Sequence, residues 1–475
     1  LVMANFILKS FKGGFSDYED KGVEGAFKSG KNLNIRKKAD TLSCNQALLD
    51  LTPPAQGFNT LADWWVPSSD GNYYAFSRNG RIYKFTPDLT CTLVYTDTDG
   101  AILGAWEWGV SSGKKYLFWA TATKLHRKEI PGEIDWSDID ADAGWPKTNL
   151  TSSLSHMMRG IGGGIGALVI CNDETLALVG YDDSYTNEIL RFTPGNYAKV
   201  LLQRDKNVVI GTVAKNQLVQ SALFLWDGMD TEEAFGWDDS KPIPLQDIAA
   251  IIDTEVSLLV DGKGQVFNAD FLNGLPIFTF PDNGKVNPGG VTSEEYLALF
   301  GVWGNGAEKS GIYSYGRKFK NASIVPNLEY QFDCDEIGGV IKVGDHLLIS
   351  YKSGANYGVK DIDQNNKAEA VYETIDLWQP AKTGFQKTVK WNSIVLTTAP
   401  LPADCSISVK YKLNKNGEFK VSNLRDGETA FDTEGAQEAV FFVGDLGKVE
   451  ELQVTLTPSG NDTPEIYRIE PYFEY

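Results

Sequence analysis

Few residues in this chain have the types and spacing that chemistry needs. Arg159 to Gly166 reads RGIGGGIG, a glycine-rich run of the kind that can cradle a phosphate. A dinucleotide fingerprint requires G-x-G-x-x-G between a strand and a helix, and counting from Gly160 and Gly162 places Ile165 where the third glycine belongs. No Lys-Ser or Lys-Thr follows for a P-loop, and the continuation ALVICND is strand-like. The run is expected to be a flexible turn entering an innermost strand.

Alternating carboxylates occur twice, as Asp135, Asp138, Asp140 and Asp142 in IDWSDIDADAG and as Asp361, Asp363 and Asn365 in DIDQNN. That alternation belongs to calcium loops, but Gly144 comes one place late in the first, Asn366 replaces the glycine in the second, and neither has Glu at the twelfth position. Solvated turns are the expectation, with a weak calcium site built partly from backbone carbonyls left open. The three histidines, His126, His156 and His346, lie in no HExxH helix and beside no G-x-S-x-G elbow, so hydrolysis by zinc or a triad has no visible parts. Paired carboxylates of a glycosidase cannot be singled out among 63 Asp and Glu. The chain reads as a non-enzyme with no cofactor and no metal. Trp64 and Trp65 in DWW, and Trp106 and Trp108 in WEWG, are the candidate glycan or partner contacts, where loops would converge at a mouth. Packing between sheets is their plainer role.

The elements that would position these residues show as a repeat. RIYKFTPD at 81–88 returns as EILRFTPG at 188–195, and looser copies of the same shape anchor on Ile82, Leu125, Leu190, Leu223, Val266, Ile312 and Val359. Two adjoining intervals, of 65 and 33 residues, are irregular, yet about 46 residues per unit fits throughout. Each anchor follows an apolar strand and a polar turn, as in the middle of a four-stranded antiparallel blade. The expected fold is all-β: a β-propeller of about seven four-stranded blades over residues 59–374. After residue 374 the grammar changes to strict alternation, with Ile407, Val409, Tyr411 and Leu413 on one face, an Asn416-Gly417 turn, and Leu452, Val454 and Leu456 alternating again. Residues 375–475 are expected to form a β-sandwich domain. Residues 1–58 read as an arm, Gly- and Lys-rich, that either orders against a neighbour or helps to close a blade.

A net charge of −19 repels phosphate backbones, so no nucleic-acid partner is expected. No run reaches the roughly 18 apolar residues of a membrane span, and the opening LVMANFILKSFKGG lacks the features of an export signal. Five scattered cysteines without a CxxC pair suit free buried thiols made in a reducing cytoplasm.

The phrase SFKGGFSDYEDKG near the start, the blade phrases, and the stretches ETIDLWQP, KYKLNKNGEF and TPEIYRIEPYFEY together resemble a family of tailed-bacteriophage virion proteins. The resemblance covers nearly the whole chain and implies an N-terminal segment, a β-propeller and a β-sandwich in a tail, tail-tip, nozzle or adaptor position. It implies other virion proteins and copies of itself as partners, assembly in the host cytoplasm, residence in the virion, and no catalytic residue. Two alternatives stay open: a propeller adhesin that binds a host-surface receptor or glycan, and a propeller glycosidase.

Overall fold

The computed structural model describes residues 3–5, 7–16, 25–36, 38, 40–152, 154–162, 165–215, 221–228, 231–233, 247–269, 275–318, 323–375, 389–413, 417–447 and 449–474. Gly163 and Gly164 of the glycine-rich run, Asn416 of the expected turn, and most of SDYEDKG and ETIDLWQP lie outside them.

Seven small antiparallel sheets succeed one another along the chain. Blade 1 consists of Ala62–Pro67, Tyr73–Ser77, Arg81–Phe85 and Cys91–Thr96. Blade 2 has three strands, Gly104–Gly109, Lys115–Ala120 and Leu125–Ile130, with Lys147 bridging Leu125 where a fourth would lie. Blade 3 is Met158–Ile161, Ala167–Asn172, Thr175–Gly180 and Tyr185–Arg191; blade 4 is Asn196–Arg204, Asn207–Ala214, Leu223–Trp226 and Thr231–Glu233. Blade 5 is Ile248–Asp253, Ser257–Asp261, Gln265–Asn268 and Phe278–Thr279, and blade 6 is Lys285–Glu294, Leu297–Trp303, Gly311–Gly316 and Val325–Gln331. Blade 7 takes Glu336–Val343, His346–Ser353 and Asn356–Lys367 from this end of the chain, and its outer strand, Gln46–Asp50, from before blade 1. First strands touch in cyclic order, blade 7 against blade 1. The fold is a seven-bladed β-propeller whose ring is closed by a strand from the N-terminal segment. Each sheet alone would leave two apolar faces in water, and stacking around an axis buries both.

Six of the seven sequence anchors lie in third strands, but Leu190 lies in the outer strand of blade 3. The third strand there contains Leu176, which pairs with Leu190, and using Leu176 turns the irregular intervals into about 51 and 47 residues. Adjacent strands of one blade share the period-2 pattern and end in similar turns, so pattern alone cannot tell them apart. Burial can: Leu176 is fully buried and Leu190 only partly. The glycine-rich run needs a similar correction. Arg159, Gly160 and Ile161 belong to the innermost strand itself, and ALVICN is the second, so the turn follows the innermost strand.

Inner strands approach one another so closely that some positions admit no side chain. A Cβ on Gly289 of blade 6 would sit 1.8 Å from the Asp63 carbonyl oxygen of blade 1, and one on Gly104 would sit 1.8 Å from that of His156. Both obstacles are backbone and cannot rotate away. Gly289→Ala is expected to destabilise the fold by at least the ~1–3 kcal/mol typical of overpacking, read as a lower urea midpoint, whereas Gly162→Ala, with nothing within 4 Å, serves as the silent control. Equal midpoints for the two would refute the close approach.

Beyond the ring, among the described residues, lie a two-stranded sheet of Leu33–Asn34 and Ser43–Cys44 and two larger ones. One orders Met3–Asn5, Ile466–Glu474, Val389–Thr398 and Glu438–Phe442, with Leu446–Gly447 also paired to Val389–Thr398. The other orders Phe27–Lys31, Ala370–Thr374, Val449–Thr457, Ser406–Leu413 and Lys420–Val421, with Ala430–Phe431 on Ser406–Leu413. Ser406–Leu413 buries every second residue, and Ile407, Val409, Leu452, Val454 and Leu456 are inaccessible. Strands from the first 34 residues and from 370–374 are thus integral to sheets made mostly of the last 90 or so.

Of the two expectations for the N-terminal segment, blade closure is the one seen in Gln46–Asp50, and the described residues before it pack on the same chain. Phe11, Phe27 and Leu33 are buried, Phe11 meets Tyr372 edge-on, and Phe15 meets Phe278 and Tyr313 likewise. One apolar core therefore runs from blades 5 and 6 through this segment into both terminal sheets.

Candidate functional site

A dense cluster of charged and polar groups lies where blade 1 meets blade 2. In blade 2, the consecutive residues His126, Arg127 and Lys128 are all buried, an arrangement tolerated only if each finds a partner. The loop after that strand supplies all three. His126 Nδ1 donates to Asp140 Oδ2 at 2.7 Å, Arg127 pairs with Asp142 at 2.6 Å, and Lys128 pairs with Asp138 at 2.6 Å. Arg127 also reaches Asp183 of blade 3 at 2.6 Å and is sandwiched 4.2 Å from the ring centres of Tyr116 and Trp145. The first of the two carboxylate runs is therefore mostly a lid of counter-charges, with Asp135 alone capping its own turn through Ser137. In the second run, Asp361 is buried and holds His346 Nδ1 and the Leu347 amide at 2.7 and 2.8 Å. Asp363 caps a turn at Asn365 and Asn366.

The other edge of His126 faces blade 1. Its Nε2 lies 3.3 Å from Asp99 Oδ2 and 3.6 Å from Asp97 Oδ2, without a hydrogen bond to either. The connection from blade 1 to blade 2 holds these aspartates: the Asp97 amide donates to Gly80 O at 2.8 Å, and Asp97 Oδ1 accepts the Asp99 amide at 2.8 Å. Asp97 Oδ2 accepts the Trp119 indole N–H at 2.7 Å, and Trp119 stacks on the His126 ring. Lys124 lies against both oxygens of Asp99, at 2.8 and 2.9 Å. Burial alone would depress the His126 pKa, but the Asp140 hydrogen bond and the charges of Asp97, Asp140 and Asp99 hold it above the ordinary histidine value. At His156 desolvation wins and lowers the pKa, against the Cys171 and Ala122 carbonyls that it contacts and the charge of Asp173.

The four tryptophans separate into two pairs. Trp64 and Trp65 are buried in the inner strand of blade 1, where the Trp65 indole N–H donates to Gly339 O of blade 7 at 3.1 Å. Trp106 and Trp108, in the inner strand of blade 2, are half-buried and lean on Gly160, where a Cβ would lie 2.5 Å from the Trp108 ring. The Arg159 guanidinium rests 4.6 Å from the Trp106 ring centre. The glycine-rich run and WEWG thus meet, as neighbouring inner strands.

A second polar site closes the ring. Arg78 of blade 1 donates to Asp63 at 2.5 and 3.0 Å and to Glu336 of blade 7 at 2.7 Å. Burial raises the Asp63 pKa against the pull of Arg78. A cavity of about 540 Å³ opens between the N-terminal segment, blade 6 and a terminal sheet. Its lysines are already paired, Lys28 with Glu451 at 2.6 Å and Lys31 with Glu308 at 2.6 Å.

Sequence reasoning missed Asp97 and Asp99, although YTDTDG carries the D-x-D spacing. Their partner lies in the next blade, so no short-range pattern joins them. All five cysteines are free. Burial pushes the thiols up, Cys44 to about 11 and Cys91 and Cys334 to about 12. A disulfide-exchange reagent at pH 8 is accordingly expected to label less than one thiol in the folded protein and all five after denaturation. Fast labelling of two or more in the native state would contradict this packing.

No protein-family model matches the chain, and no curated protein matches it either. Among solved structures it is similar to streptogramin B lyase, at 12% identity over 66% of this chain and 97% of that one with a TM-score of 0.42. It is also similar to the Pan2 WD40 domain of Neurospora crassa (11% identity, 68% and 97% covered, TM-score 0.39). A third similar structure is the calcium-binding protein regucalcin of Agrobacterium tumefaciens (13% identity, 56% and 91% covered, TM-score 0.33). These neighbours are propeller-like, and a lyase is among them. Fold alone assigns no activity.

Proposed function

We propose that this chain is a non-enzymatic structural component of a tailed-bacteriophage virion, in the tail or at a tail-tip or adaptor position. Its partners in this reading are other virion proteins and copies of itself, met during assembly in the host cytoplasm. The observation that carries the proposal is the unbroken apolar core from blades 5 and 6 through the N-terminal segment into the terminal sheets. It makes propeller and terminal sheets one stiff body, which suits a part that transmits position rather than one that opens and closes around a substrate. The charge of −19 adds that docking needs specific complementary surfaces. Host cells infected with a phage lacking the gene should yield particles without complete tails, and the purified wild-type particles should contain the chain in stoichiometric amount. Complete, infectious particles from the deletion would end this reading.

The adhesin alternative rests on Trp106 and Trp108, since Trp64 and Trp65 are buried. Binding to a glycan array that disappears in Trp106→Ala would favour it.

A further inference from the structure

We infer that Asp97, Asp99 and His126 form a binding site for a divalent transition-metal cation, of the zinc, cobalt or manganese class, that clamps blade 1 to blade 2. Among the described residues these three are the one group of His, Cys, Asp or Glu whose ligand atoms all lie within 4.8 Å of one another. The deciding observation is His126 itself. The ring is buried, 5% exposed, and its Nδ1 donates to Asp140, so the Nε2 edge is aimed at two carboxylate oxygens with no hydrogen bond made. A neutral imidazole presents its lone pair there to two negative oxygens, so either a bound cation or a proton on Nε2 must lie between them, and the titration below separates the two.

The spacing suits a metal. Tetrahedral coordination with bonds of about 2.0–2.1 Å puts neighbouring ligand atoms about 3.3 Å apart, and Nε2 lies 3.3 and 3.6 Å from the Asp99 and Asp97 oxygens. Hydrogen bonding of the other ring nitrogen to a carboxylate, here Asp140, is the usual way a metal-bound histidine is oriented. Trp119 fixes the remaining degrees of freedom by stacking on the ring and holding Asp97. One imidazole with two carboxylates favours the borderline transition metals over calcium or magnesium, which prefer oxygen alone.

Blade 7 provides an internal comparison. There His346 Nδ1 and the next amide share the Asp361 carboxylate at 2.7 and 2.8 Å, as His126 Nδ1 and the Arg127 amide share Asp140 at 2.7 and 2.9 Å. The latch recurs, but among the described residues no comparable ligand group forms at His346. The carboxylates facing Nε2 are therefore an addition to the latch and not a consequence of it. Lys124 competes for Asp99; its side chain is 34% exposed and can swing into water when a cation enters.

Titrating the chelator-treated full-length protein with Co(II) and with Zn(II) tests this. The expected result is one equivalent bound, a visible Co(II) absorption of tetrahedral intensity, and a raised melting temperature. Asp99→Asn, which changes a partly exposed group and spares the core, should weaken binding at least tenfold. Lys124→Gln should tighten it severalfold by freeing Asp99. Absence of stoichiometric binding in the wild type, or equal affinity in wild type and Asp99→Asn, would overturn the site and leave a protonated His126 as the cation between the carboxylates.

Discussion

A chain lacking residues 1–34 is expected to lose cooperative folding. The deletion removes Phe11, Phe27 and Leu33 from the core, strips the strand Phe27–Lys31 from Ala370–Thr374, and leaves blade 6 and a terminal sheet facing each other across a void. Truncating one buried phenylalanine typically costs about 3–5 kcal/mol, so losing two with a leucine and a strand is comparable with the whole ~5–15 kcal/mol by which most folds are stable. Phe27→Ala alone should cost about 3–5 kcal/mol in denaturant titration. A truncated protein that melts like the parent would show that the segment is an appendage after all.

The second large effect is expected at a buried ion pair. Arg36 donates to Glu329 and to Ser314 Oγ at 2.9 Å, and to Val325 O at 2.6 Å; Asn45 donates to the second Glu329 oxygen at 2.7 Å. Burial lowers the Arg36 pKa while Glu329 opposes the shift. Glu329→Ala strands that guanidinium and should destabilise by about 3–5 kcal/mol, the usual result of breaking a buried pair from one side. Replacing both partners, Arg36→Met with Glu329→Leu, should recover a large part of the loss, because no charge is then left unpaired. A single-mutant cost below about 1 kcal/mol, in the range of exposed pairs, would contradict the burial.

The pair also shows what was legible beforehand. Period-2 alternation in Ser406–Leu413 was plain because one face meets the core and the other is more accessible. Repetition near 46 residues was legible because each blade must rebuild the same buried faces, and it slipped at Leu190 because outer and third strands share that pattern. For the N-terminal segment the composition left an arm and a blade closure open; Gln46–Asp50 closes a blade, and the phenylalanines between its Gly and Lys residues are the groups that pack. Pairing of Gln46–Asp50 with Asn356–Lys367 joins residues some 300 apart and leaves no local mark. The aspartates of the first carboxylate run were read as solvated turns, because the sequence does not show that their loop folds back over the buried basic strand. Only the loop's return over its own strand brings them together.

Labelled-antibody electron microscopy of particles purified from infected cells tests the structural reading most directly. Label is expected on the tail, at one axial position and in several copies around the axis. Particles without label, together with a monomeric chain that cleaves a glycan, would contradict the reading and return the propeller to the glycosidases.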